Sequence, residues 1–160
     1  ILLCKWFDTE TDTMGEIAAY VSKAKAAHNL NSDDLEMFIA DVEGETLGLI
    51  KGDESVNYAY EVAEKIAEFE EDQITAIKLM LEAGVVNDLD DAIEHLEDMV
   101  CTGETKMENI AYNFIEETGA ISALGASLQC YFDYEALGRD MEINGSYFEA
   151  DDGVLWEYVS

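Results

Sequence analysis

Thirty-seven aspartates and glutamates stand against eight lysines and arginines in this chain of 160 residues, a formal net charge of −29. A small soluble domain needs a net charge of only about 2–8 in magnitude to stay in solution. The surplus repels itself and works against any compact state. Only a chain with strong apolar patterning can hold it. Here 49 % of the residues are hydrophobic, with 8 Tyr, 6 Phe and 2 Trp, which excludes an ordinary disordered acidic tail. The length suffices for a real core, as one domain or as two or three small ones. Duplex DNA carries one charge per about 1.7 Å of axis, so 29 charges match roughly 50 Å of duplex. A globular domain of this length is only about 30 Å across, taking twice a radius of gyration near 15 Å. A DNA-like charge density therefore calls for an elongated chain.

The charge also narrows the partners. Direct nucleic-acid binding requires a basic footprint, and an anionic membrane surface is disfavoured for the same reason. No run of 18 apolar residues and no signal-peptide pattern is present. Cys4, Cys101 and Cys130 are odd in number and lack C-x-x-C spacing, so reduced thiols in a cytosol are expected rather than disulfides or a zinc site. The chain opens at Ile1 rather than Met, which leaves room for a segment ahead of it.

Periodicity predicts an α+β fold, elongated, in three parts. Residues 1–54 read as a small N-terminal α/β unit. It has a buried strand over 1–7, a helix entered through the capping box of Thr13 and Glu16, and a second strand over 37–42. Residues 55–103 read as a central helical bundle. Its stripes are Ala59, Val62, Ala63, Ile66 and Ala67; then Ile74, Ile77 and Leu81, ended by Gly84; then Leu89, Ala92, Ile93, Leu96 and Val100. Residues 104–160 read as a C-terminal α+β unit. A helix opened by Thr105 stops at Gly119, Asp133 caps a short helix that exits toward a strand through Met141, Ile143 and Gly145, and Asp151-Asp152-Gly153 turns a closing β-hairpin.

Acidic rows oppose the apolar stripes. Glu61, Glu64, Glu68 and Glu71 recur at helical intervals, with Glu70 and Asp72 beside them. Asp88, Asp90, Asp91, Glu94, Glu97 and Asp98 repeat the arrangement on the third stripe. At about 1.5 Å rise per residue such carboxylates stack roughly every 5 Å along a helix. Solvated faces normally mix signs. With Lys65 and Lys78 as the few answering cations, the set reads as an anionic surface for a basic partner. Asp133, Glu135 and Asp140 continue it. The rival use of such acidity is calcium binding, but the nearest EF-hand register begins at Asp88 and places Ile93 where glycine belongs. His95 with Asp98 could hold a metal, yet a lone helical histidine among carboxylates reads as a charge-paired surface residue. Gly125-Ala126-Ser127 lacks the following glycine of a nucleophile turn, and no Gly-rich phosphate loop is present. Neither an enzyme nor a bound metal or cofactor is expected. Tyr131, Phe132, Tyr134, Tyr147, Phe148, Trp156 and Tyr158 make the last thirty residues the most aromatic, as a core or as a dimer interface.

The run Tyr131-Phe132-Asp133-Tyr134-Glu135-Ala136-Leu137-Gly138-Arg139-Asp140 is specific in residue type and spacing. With residues 113–120 and 146–149 it resembles the C-terminal part of the ArdA antirestriction proteins, closely over residues 110–153. Trp6-Phe7-Asp8 and residues 38–44 resemble altered forms of the family's N-terminal patterns. Gly125 stands where the family commonly has proline, and Ala40 and Val42 where a histidine and an aromatic are usual. The resemblance implies a DNA mimic that occupies the DNA-binding channel of type I restriction–modification enzymes, contacting their specificity and methyltransferase subunits. It also implies a homodimer joined through the C-terminal region. The setting would be a bacterial cytoplasm, with the gene on a mobile element or phage. Arg139, the only arginine, reads as a structural ion-pair residue held by Asp133, Asp140 or a partner chain. The alternative is an acidic adaptor or calcium-responsive scaffold for another basic protein.

Overall fold

A computed structural model describes residues 3–31, 36–50, 52 and 54–159. The chain divides into two compact units, Ile1–Ile74 and Thr75–Ser160. Among the described residues the fold is α+β, with helices predominating over one small antiparallel sheet.

In the first unit, helix α1 (Met14–His28) begins at the predicted capping box. The Thr13 N–H donates to the Glu16 carboxylate at 2.8 Å, and the Thr13 hydroxyl accepts from the Glu16 N–H at 3.4 Å. Lys25 and His28 sit in the last turn, where the dipole favours cations. Helix α2 (Val56–Ile66) starts where the Ser55 hydroxyl accepts the Tyr58 N–H. Among the described residues of this unit, Ile17, Leu49, Ile50, Val62, Ile66 and Ile74 are the buried apolar ones.

The two strands expected here do not form. Residues 3–8 and 36–43 have no regular structure, while Ile1 and Leu2 lie outside the described residues. Leu3, Trp6, Met37 and Phe38 are exposed rather than buried. Alternating apolar residues give a segment strand propensity, but a strand exists only where a neighbour accepts its hydrogen bonds. The first segment packs on α1 instead. Phe7 meets Tyr20 edge-on at 5.8 Å, and the Lys5 ammonium lies 4.3 Å from the Phe7 ring centroid.

Helix α3 (Glu71–Ala83) begins in the first unit and continues into the second, ending as expected before Gly84, whose φ of +67 suits glycine. The third stripe is not one helix. Helix α4 (Leu89–Glu94) is six residues long, a 3-10 turn follows at Leu96–Asp98, and strand β1 (Met99–Cys101) takes up the end of the apolar run. Short apolar runs fit helix and strand alike, and here pairing with another strand decided the matter.

Helix α5 (Met107–Thr118) stops at Gly119 in the left-handed region, but its cap position is Lys106 rather than Thr105. Glu104 steadies it from outside, accepting the side-chain amides of Asn109 and Asn113. A 3-10 turn (Ala120–Ala123) and helix α6 (Ala126–Gln129) lead to helix α7 (Tyr134–Asn144). Met141 and Ile143 therefore lie within α7, which runs further than its sequence suggests. The hairpin forms as predicted, with β2 (Tyr147–Glu149) and β3 (Leu155–Tyr158) joined through Gly153 at φ +82. Strand β3 is central, antiparallel to both neighbours in the order β1-β3-β2. The Tyr147 hydroxyl donates to Glu157 across the hairpin at 2.9 Å. Burial and that carboxylate push its pKa up to about 12. Ala76, Ile77, Leu79, Met80, Val86, Leu89, Ala92, Met99, Ile110, Ala111, Ile115 and Trp156 are buried in this unit.

Candidate functional site

Helices bury their apolar stripes and turn their carboxylates outward, so the acidic residues are placed by the cores beneath them. Glu61, Glu64, Glu68, Glu70, Glu71, Asp72, Asp88, Asp90, Glu94, Glu97, Asp133, Glu135 and Asp140 are all exposed, and Asp91 and Asp98 are half-exposed. No charged residue is buried among the described residues.

The rows are shorter than the spacing predicts. Glu61 and Glu64 share a face of α2, one turn apart, but that helix ends at Ile66. Glu68 falls in the connection, and Glu70, Glu71 and Asp72 gather at the start of α3. The Glu70 N–H donates to the Gln73 side chain at 2.9 Å, half of a capping arrangement. Negative charge is disfavoured at a helix C-terminus and favoured at an N-terminus. A cluster of four carboxylates at 68, 70, 71 and 72 therefore marks a new helix rather than the continuation of α2.

The same logic governs α4. Asp88 caps it by accepting the Asp91 N–H at 3.0 Å, and Asp90 and Asp91 occupy its first turn. Asp91 also accepts the backbone and side-chain N–H groups of Asn87, which hold its carboxyl below the usual range. Glu97 and Asp98 lie on the 3-10 turn, off the helix that bears Glu94. The His95 Nδ1 and Asp98 Oδ2 stand 2.8 Å apart, the pairing its spacing suggests.

In the C-terminal motif, Asp133 caps α7 as expected, accepting the Ala136 N–H at 2.9 Å, with Glu135 in the first turn. Arg139 pairs with neither Asp133 nor Asp140. Its guanidinium reaches Glu135 Oε1 at 3.3 Å, one turn back on the same helix face, with both side chains exposed. A helix brings residues four apart together, whereas Asp133 and Asp140 lie six and one positions away. Tyr134 stacks at a tilt between Tyr112 at 5.1 Å and Phe132 at 4.9 Å. Leu137 is half-buried beside Gly138, and Tyr131 is 81 % exposed.

Gly138 has a role the sequence did not disclose. It is buried where α7 crosses the first turn of α5, and a Cβ there would lie 2.6 Å from the Met107 carbonyl oxygen and 2.9 Å from the Glu108 nitrogen. The helices approach so closely that only a hydrogen fits. Sequence reading also missed the recess of the first unit lined by Asp8, Glu10, Glu43, Glu45, Glu64 and Tyr60. The Tyr60 hydroxyl is enclosed there without a hydrogen-bond partner. Burial, then the charges of Asp12, Asp8 and Glu16, raise its pKa.

These observations describe exposed carboxylates on helix starts and faces, and a motif helix seated on α5. A sequence model of the family described as antirestriction protein (ArdA) matches residues 2–156. The chain belongs to the ArdA family. Membership implies an antirestriction function and points to restriction–modification enzymes as the proteins it acts on. No curated protein matches the chain. The ArdA motif recognised in the sequence, residues 131–140, is the N-cap and first two turns of α7 together with the segment leading into it. No described helix is long and apolar enough to cross a membrane.

Proposed function

We propose that the chain is a DNA mimic with no catalysis of its own. Its carboxylates fill the basic DNA channel of a type I restriction–modification enzyme, against the specificity and methyltransferase subunits, and so exclude DNA. The observation that supports this most is that the candidate carboxylates point to solvent above apolar cores, with few cations among them. A DNA-binding channel is built to neutralise phosphates with lysine and arginine. A surface of exposed carboxylates satisfies the same groups without base edges to read. The exposed Tyr131, Leu124 and Leu128 support pairing of two copies through the C-terminal unit; the setting we propose is a bacterial cytoplasm.

No single carboxylate dominates such a field. The test neutralises Glu61, Glu64, Glu68, Glu70, Glu71, Asp72, Asp90, Glu94, Glu97 and Asp140 together as amides, with the fold checked by circular dichroism. Affinity for a purified type I methyltransferase core is then measured by calorimetry. The proposal expects affinity and its salt dependence both to fall. Unchanged binding by the folded variant contradicts it.

A further inference from the structure

The end of α4 is built as a three-member device. His95 is the C-cap residue, and its N–H donates to the Asp91 carbonyl at 3.1 Å. Its ring lies between two carboxylates, Nδ1 at 2.8 Å from Asp98 and Nε2 at 3.7 Å from Asp91. Asp98 closes the 3-10 turn through its N–H to the His95 carbonyl at 3.0 Å. Its own carbonyl accepts the Val159 N–H at 2.8 Å, beyond the end of β3. Strand β1 starts at the next residue, Met99, which is buried and pairs with Tyr158. The ring thus sits at the joint between a helix and an edge strand.

A neutral imidazole has one N–H and can donate to only one of these carboxylates, with a lone pair facing the other. An imidazolium carries an N–H on both nitrogens, donating to Asp98 and attracting Asp91 as an ion pair across 3.7 Å. Asp91 is kept ionised by Asn87, so one jaw of the device is a fixed anion. We propose that His95 is a proton-operated clasp: charged, it bridges Asp91 and Asp98 and closes the turn between α4 and β1; neutral, it releases Asp91 and leaves the Asp88–Asp98 face one unit more negative.

The groups that act on the ring are Asp98 and Asp91, with Glu94 weaker, and all are anions. Lys78 and Glu82 on α3, which precedes the clasp in the chain, and Glu157 on β3 make no hydrogen bond or ion pair with it. The hydrogen bond to Asp98 and these charges raise the pKa of His95 above 6.5. A group with a raised folded-state pKa stabilises fully below its unfolded value, and the effect is lost as pH rises through the folded value. The clasp is therefore closed below pH 6.5 and opens as pH climbs past the folded midpoint. At 44 % side-chain exposure the ring exchanges protons freely with solvent.

The clasp does not depend on the DNA-mimic reading, and its test needs no partner protein. Two-dimensional NMR of the intact chain follows the imidazole signals from pH 5 to 9, with His95→Gln assigning them. Amide exchange at Asp98 and Met99 is recorded across the same range. The expected result is a His95 midpoint above 6.5, lowered in Asp98→Asn. Amide protection, corrected for intrinsic chemistry, should fall through that midpoint in the natural chain and stay level in His95→Gln. A midpoint at or below 6.5, or the same protection profile with and without the imidazole, overturns the clasp. If His95→Gln fails to fold, the Asp98→Asn comparison decides alone, since an unmoved midpoint is equally fatal.

Discussion

The first 74 residues carry 18 acidic side chains against 5 basic ones, and the remaining 86 carry 19 against 3. Charge hardly separates the two units; the way their backbones are satisfied does. In the first, residues 3–8 and 36–43 run without regular structure and leave Trp6 and Phe38 largely in water. In the second, β3 is bonded on both sides, and α7 lies against α5 closely enough to require Gly138. An acidic exterior evidently does not dictate the interior. It tolerates a loosely organised apolar set in one unit and a tightly seated one in the other.

The largest contrast should come from paired deletions. Met80 is fully buried, and Met80→Ala should cost about 2–5 kcal/mol of the second unit's stability, measured by urea denaturation. Trp6, 57 % exposed, should cost under about 0.5 kcal/mol as alanine. Equal losses would break the comparison, because they would mean the first segment is as well packed as the second unit's core.

Gly138→Ala sharpens it next. The added methyl meets backbone atoms of Met107 and Glu108, which no rotamer change can relieve, so a loss of about 1–3 kcal/mol is expected. Backbone NMR shifts should move in α5 and α7 and stay fixed in α1. Shifts spread evenly over both units would contradict a local clash.

A smaller effect compares the caps. Thr13→Ala removes the capping box of α1, and Asp133→Ala removes the cap of α7, each worth about 0.5–2 kcal/mol. Amide exchange in the first turn of each helix is the readout. The loss should remain within the substituted helix in the first unit. In the second it should spread to α5, against which α7 packs.

What could be read from the sequence follows the range of the interactions. The Thr13–Glu16 box, the Asp133 cap, the stop at Gly119 and the Asp151-Asp152-Gly153 turn are set by residues within a few positions of one another. All were legible. Strand pairing was not: residues 37–42 carry the strand pattern and find no partner, while Met99–Cys101 hides at the end of a helical stripe and pairs with residues more than fifty positions on. The candidate surface divides the same way. That its carboxylates are exposed followed from the amphipathic stripes. That the rows break after Glu64 and Glu94 depended on where α2 and α4 end. The partner of Arg139 was missed because the motif drew attention to Asp133 and Asp140, when one helical turn selects Glu135.

Competition for a DNA channel is the central claim, and it can be measured directly. Labelled duplex is bound to a purified type I methyltransferase core and titrated with this chain at a series of salt concentrations. The DNA-mimic account predicts displacement at near-equimolar chain, with an affinity that falls as salt rises. Duplex that stays bound at low salt, in the presence of excess folded chain, would contradict it.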